Sequence, residues 1–115
     1  MAKPHASTGK GDDGAREKFG LEISRRVRSQ VREDVDYPRI ARQKGWEGTT
    51  QVRLQFGADG KVKSFTVGGS SGYEMLDEKA IEIIKRIQLP PIPDALRSQE
   101  FTVQVPIVFK RKVKP

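Results

Sequence analysis

Two stretches of this chain place apolar residues at every second position. In Thr49–Phe56, Val52, Leu54 and Phe56 point one way and Gln51, Arg53 and Gln55 the other. In Phe101–Phe109, Phe101, Val103, Val105, Ile107 and Phe109 oppose Thr102, Gln104, Pro106 and Val108. A period of two is the mark of a half-buried strand, with one face on a core and one in water. Such a strand needs strand partners and a layer to cover its apolar side. The chain supplies both. Gly57-Ala58-Asp59-Gly60 is hairpin chemistry, and Lys61–Val67 reads as the return strand. Its alternation slips between Val62 and Phe65, which predicts a bulge or a late strand start. Glu74–Ile87 has helical spacing, with Leu76, Ala80, Ile84 and Ile87 on one face and Ile81 and Ile83 beside it. Pro90, Pro91 and Pro93 then stop regular structure.

This order constrains the topology. The hairpin reverses the chain and the long helix carries it back, so the last strand runs in the same direction as the second. In an antiparallel sheet it can pair only with the first. The predicted strand order is 2-1-3, with Thr49–Phe56 central and Phe101–Phe109 at an edge. Pro106 agrees, because a residue without an N–H is tolerated at an edge. Upstream, Phe19, Ile23, Val27 and Val31 recur at four-residue steps within Arg16–Glu33 and predict a helix, firm from about Leu21 because Gly20 interrupts it. A short helix over Pro38–Gln43 follows, with Ile40 and Ala41 facing inward and Gly45 ending it. The expected fold is α+β: a three-stranded antiparallel sheet with helices packed on one face. The expected organisation is a flexible leader over residues 1–14, one domain over 15–109 and a basic tail over 110–115.

Composition argues against an enzyme. The chain has 115 residues, 35% hydrophobic and 32% charged, so its single core is small and a deep substrate cavity is not expected. There is no cysteine, which removes disulfides, thiolate nucleophiles and Cys-ligated zinc. The single histidine, His5, lies in the leader, leaving Ser70 and Ser71 without a general base. Glu33, Asp34 and Asp36 do not have the spacing of a calcium loop and read as helix-ending residues. Asp77 is placed to favour a helix N-terminus. No catalytic, cofactor or metal residue is expected. Ser7–Gly11 lacks the elements of a phosphate loop. No apolar run approaches the ~20 residues of a membrane span, and Met1–Gly14 has no signal-peptide character.

The net charge of +7 favours anionic partners. Lys110, Arg111, Lys112 and Lys114 form an acid-free end that reads as a solvated tail. Nucleic acid is not an expected partner. The strand aromatics Phe56, Phe101 and Phe109 fall on the core side, so the open face has no stacking platform. Trp46 reads either as a partner anchor or as a collar over the sheet. The feature with functional content is the edge strand. Its unpaired backbone groups suit addition of an extended peptide, unless the proline-rich segment or the tail covers them.

From Tyr37 onward, over about two-thirds of the chain, the sequence resembles TonB C-terminal domains. Tyr37-Pro38, Ala41, Gly45 and Glu47-Gly48 follow the family's opening pattern, and Val52, Leu54 and Phe56 its first strand. Asp59-Gly60-Lys61-Val62 matches the hairpin. Ser70-Ser71-Gly72 with Leu76-Asp77 and Ala80 matches the next segment, and Val103–Phe109 the end. No single element is specific; the order and spacing together carry the resemblance.

The resemblance implies a periplasmic domain anchored to the inner membrane through an N-terminal helix and a proline-rich spacer. It implies an ExbB–ExbD-like complex as energy source and the TonB box of an outer-membrane transporter as partner, for uptake of siderophores, haem or similar cargo. It implies that Phe101, Thr102, Val103, Gln104, Val105 and Ile107 receive the box, with Asp36, Tyr37, Pro38 and Arg39 as a second contact region. Where some members carry glutamines before Tyr-Pro, this chain has Asp34-Val35-Asp36, which suggests a partner with basic or polar side chains. Anchor and spacer are not in this sequence, which reads as a piece of a longer protein. The alternative is a basic periplasmic adaptor that binds peptidoglycan or self-associates through its sheet edge.

Overall fold

The computed structural model describes residues 10–32 and 36–110, with side chains from residue 14. The elements are helix α1 (Lys10–Gln30), helix α2 (Arg39–Lys44), strand β1 (Gly48–Phe56), strand β2 (Val62–Gly69), helix α3 (Glu74–Arg86), a 3-10 turn (Asp94–Leu96) and strand β3 (Phe101–Phe109). The sheet is antiparallel in the order β2-β1-β3, as the chain reversal argument requires.

β1 and β3 pair in unbroken register from Gly48 opposite Phe109 to Phe56 opposite Phe101. Their two alternations therefore coincide, and one face of the sheet is continuously apolar. Pairing of β1 with β2 is irregular at two places. Gln55 faces Ser64 while Phe56 faces Val62, so Lys63 is the extra residue where the alternation slips. The second irregularity leaves out Gly68. The Gln104 side chain reaches across the open face to this point, and a Cβ on Gly68 would lie 2.3 Å from Gln104 Oε1. A side chain there would have to displace Gln104.

α1 and α3 cover the apolar face. Phe19, Ile23 and Val27 of α1 and Leu76, Ala80, Ile83 and Ile84 of α3 are buried on it. Phe19 packs at 5.5 Å from Phe56 and 6.0 Å from Phe101, and those two rings stack at 4.7 Å. Each such aromatic contributes about 1.5–3 kcal/mol by burial alone.

Three expectations are amended. α1 begins at Lys10, inside the stretch read as leader, and runs through Gly14 and Gly20. Burial of Phe19 on the sheet outweighs the helix cost of the glycines, about 1 kcal/mol each. Ile40 is about half exposed; only Ala41 of α2 faces the core, because a six-residue helix turns too little face inward for both. Gly45 ends α2 as expected, in the left-handed conformation with φ 73°. The readings of His5, Glu33, Asp34, Val35 and the tail from Arg111 fall outside the described residues.

Candidate partner-binding edge

β3 has β1 on one side and, among the described residues, no strand on the other. Its side chains alternate strictly: Phe101, Val103, Val105, Ile107 and Phe109 are buried, and Thr102, Gln104, Pro106 and Val108 are exposed. The backbone alternates too. The carbonyl oxygen of Gln104 faces α1, 3.7 Å from where a Cβ on Gly20 would sit, and so points away from β1. In an antiparallel pair both polar groups of a residue point to the same side, and successive residues switch sides. Thr102, Gln104, Pro106 and Val108 therefore turn their backbone groups to the rim.

The expected site residues divide accordingly. Phe101, Val103, Val105 and Ile107 use their side chains in the core and their backbone on β1. Thr102 and Gln104 stand at the rim. Pro106 and Val108 stand there as well, two residues that the resemblance does not point to. The signal for them was the alternation itself: polar-phase residues carry the free backbone groups at an edge. Pro106, lacking an N–H, offers only an acceptor.

The rim is not open water. α1 runs beside it and leaves a groove lined by Leu21, Ser24 and Arg28 on one wall and Thr102, Gln104 and Pro106 on the other. Among the described residues the element beside the rim is α1, and the tail from Arg111 lies outside them. Leu21 is exposed at 59% despite its size.

The second predicted region splits in two. Asp36 is buried, and its Oδ2 accepts the backbone N–H of Arg32 at 2.7 Å and Nη2 of Arg86 at 2.8 Å. Burial pushes this carboxyl up, but the Arg32 and Arg86 hydrogen bonds and the charge of Arg86 outweigh it and hold it below the ordinary aspartate value. Tyr37 is buried as well; its hydroxyl donates to the Trp46 carbonyl, and its ring meets Phe109 edge-on at 5.7 Å. Pro38 and Arg39 lie elsewhere, on a surface shared with Met75, Glu78 and Glu82 of α3. Asp36 thus has Oδ2 engaged inside the domain, while it and Tyr37 also line a cavity with Pro106, Val108 and Lys110 at the far end of β3. Its Oδ1 is buried and accepts no hydrogen bond among the described residues. Trp46 stacks on Tyr73 at 4.8 Å, which answers to the collar reading.

The Ser70-Ser71-Gly72 and Leu76-Asp77 motif has a physical explanation. Asp77, in the first turn of α3, accepts the Ser70 hydroxyl, the Ser71 N–H at 2.8 Å and the Thr50 hydroxyl at 2.7 Å. One carboxylate therefore ties the loop before α3 to the central strand.

Residues 33–111 match the family model of the Gram-negative bacterial TonB protein C-terminal region. The chain belongs to the TonB C-terminal domain family. The matched span contains Tyr37-Pro38, the hairpin, the Asp77 motif and β3. The Pseudomonas aeruginosa protein tonB2 is 37% identical over 75 residues, covering 65% of this chain and 28% of that protein. The Vibrio cholerae TonB protein is 38% identical over 79 residues, covering 64% of this chain and 30% of that protein. The solution NMR structure of the Helicobacter pylori TonB C-terminal domain, residues 179–285, superposes with a TM-score of 0.68 at 26% identity, covering 98% of this chain and 100% of that one. Such coverage takes in α1. TonB C-terminal domains are not enzymes. This chain spans under a third of the length of the relatives it matches.

Proposed function

We propose that this TonB C-terminal domain is the receptor-engaging end of an energy transducer and takes the TonB box of an outer-membrane transporter as an added strand on the rim of β3. The observation that carries this reading is the one-sided pairing of β3, which leaves the backbone groups of Thr102, Gln104, Pro106 and Val108 unspent on the sheet. In the full-length protein an inner-membrane anchor and a periplasmic spacer hold the domain. An ExbB–ExbD-like complex supplies energy from the proton gradient, and the transporter admits a siderophore, haem or similar cargo.

The chemistry of the rim suits a reversible grip. It offers three N–H donors (Thr102, Gln104, Val108) and four carbonyl acceptors. A net hydrogen bond contributes about 0.5–1.5 kcal/mol, so full use gives on the order of 5 kcal/mol before ordering costs. That is weak at rest. A peptide pulled along its own axis, however, loads these bonds together in shear, so a modest affinity transmits force.

The test is a titration of the isotopically labelled full chain with a synthetic TonB-box peptide, followed by backbone amide NMR. Shifts concentrated over Thr102–Val108 are expected. Shifts that avoid β3, or cluster on β2, overturn the reading.

A further inference from the structure

We infer that α1 is a built-in competitor for the rim of β3, and that a peptide strand gains full pairing only as the N-terminal half of α1 swings away. The inference rests on the reading of β3 as the peptide site. An added strand runs about 4.8 Å from its neighbour. At Gln104 that space is held by α1, whose Gly20 backbone stands so close that a Cβ there would lie 3.7 Å from the Gln104 carbonyl oxygen. Toward Pro106 a groove opens between the strand and Leu21, Ser24 and Arg28, so the close approach is at Gly20.

The two halves of α1 are held unequally. Beyond Gly20, Ile23 and Val27 are buried, Arg26 Nη1 donates to the Gln88 carbonyl at 3.2 Å, and the Gln88 N–H donates to Gln30 Oε1 at 3.4 Å. Before Gly20, the one fully buried residue among those described is Phe19. A second groove runs between this half and Pro91–Asp94 and Arg97, and Ala15 is only partly buried against the core. Each interior glycine lowers helix formation about fivefold relative to alanine, so Gly14 and Gly20 weaken this half, and Gly20 stands at the blocking position itself. The helix breaks most easily where it obstructs.

Departure of Phe19 uncovers the paired rings of Phe56 and Phe101 at the start of β3. A peptide with a bulky apolar or aromatic side chain near Thr102 takes that place. The exchange swaps one ring for another and one backbone neighbour for another, which keeps it reversible.

The test uses the full chain. Gly14→Ala meets no atom within 4 Å, and Gly20→Ala makes only an ordinary contact with Gln104, so both tighten α1 without a clash. Each is expected to raise thermal stability and yet weaken TonB-box peptide binding by up to about fivefold; Ala15→Gly is expected to strengthen it by a similar factor. In the wild-type complex the amides of residues 16–20 should lose hydrogen-exchange protection. Unchanged affinity in all three variants, with shifts along β3 and protection of α1 retained, overturns the inference but leaves the peptide site standing. Weakening by Gly20→Ala but not by Gly14→Ala also overturns it, because the effect is then local contact at the rim. Absence of β3 shifts in every variant, Ala15→Gly included, overturns the peptide site itself.

Discussion

Thr50, buried in the central strand, donates its hydroxyl at 2.7 Å to Oδ1 of Asp77, twenty-seven residues further along at the start of α3. The same carboxylate takes the Ser70 hydroxyl and the Ser71 N–H, so helix, loop and sheet meet at one side chain. Asp77→Ala strands the Thr50 hydroxyl and frees the loop, and should cost about 3 kcal/mol. Thr50→Val should cost about 1 kcal/mol, and the double variant less than the sum. Urea denaturation measures all three. An Asp77→Ala cost below about 0.5 kcal/mol, the range of ordinary surface substitutions, rejects the pinning role.

Stability should fall in acid through two carboxyls. At Asp77, burial raises the carboxyl's affinity for a proton, but the hydrogen bonds from Ser70, Ser71 and Thr50 outweigh burial and hold it below the usual aspartate value. Asp36 is lowered as well. A carboxyl depressed in the folded state stabilises fully above its unfolded value, near pH 3.9, and the contribution disappears as pH falls through the lower folded value. Thermal scans from pH 7 down to pH 2 should show a flat region and then a decline below about pH 4. Asp77→Asn should be less stable at pH 7 and show a shallower decline. Identical slopes for the two chains contradict the assignment.

Arg86 is half exposed, while the Asp36 it pairs with is 2% exposed. Arg86→Met leaves a buried carboxylate with the Arg32 N–H as its remaining described hydrogen bond, and should cost about 2 kcal/mol. Asp36→Asn in the same chain should recover part of this. Peptide affinity should be unchanged in the Arg86 variant, because Asp36 is 2% exposed and its Oδ2 is held by Arg32 and Arg86 inside the domain. A loss of affinity at equal folded fraction reinstates Asp36 as a contact residue.

Thr102 turns its N–H to the rim, as Pro106 would if it had one. Thr102→Pro should therefore leave the β1–β3 ladder intact and remove one of the rim donors. The expected result is a folded domain whose peptide affinity drops by about three- to tenfold, the weight of one net hydrogen bond. NMR titration with the box peptide measures it. Wild-type affinity places the peptide somewhere other than the outer side of β3.

The periodicities of Thr49–Phe56 and Phe101–Phe109, the Asp59-Gly60 turn and the helix between them were enough to determine the sheet, its order and the edge position of β3. Each is a local preference, and chain direction leaves antiparallel strands no other arrangement. The slip at Val62 marked its bulge for the same reason. Three features were beyond the sequence. Asp36 looks like a surface charge until Arg86, fifty residues away, is folded against it. Asp77 looks like a helix-dipole residue until Thr50 is brought beside it. The glycines of α1 look like a flexible leader until the sheet offers Phe19 a place to bury. In each case burial or pairing between distant residues outweighs a local preference of about 1 kcal/mol, and only the tertiary structure determines which distant residues meet.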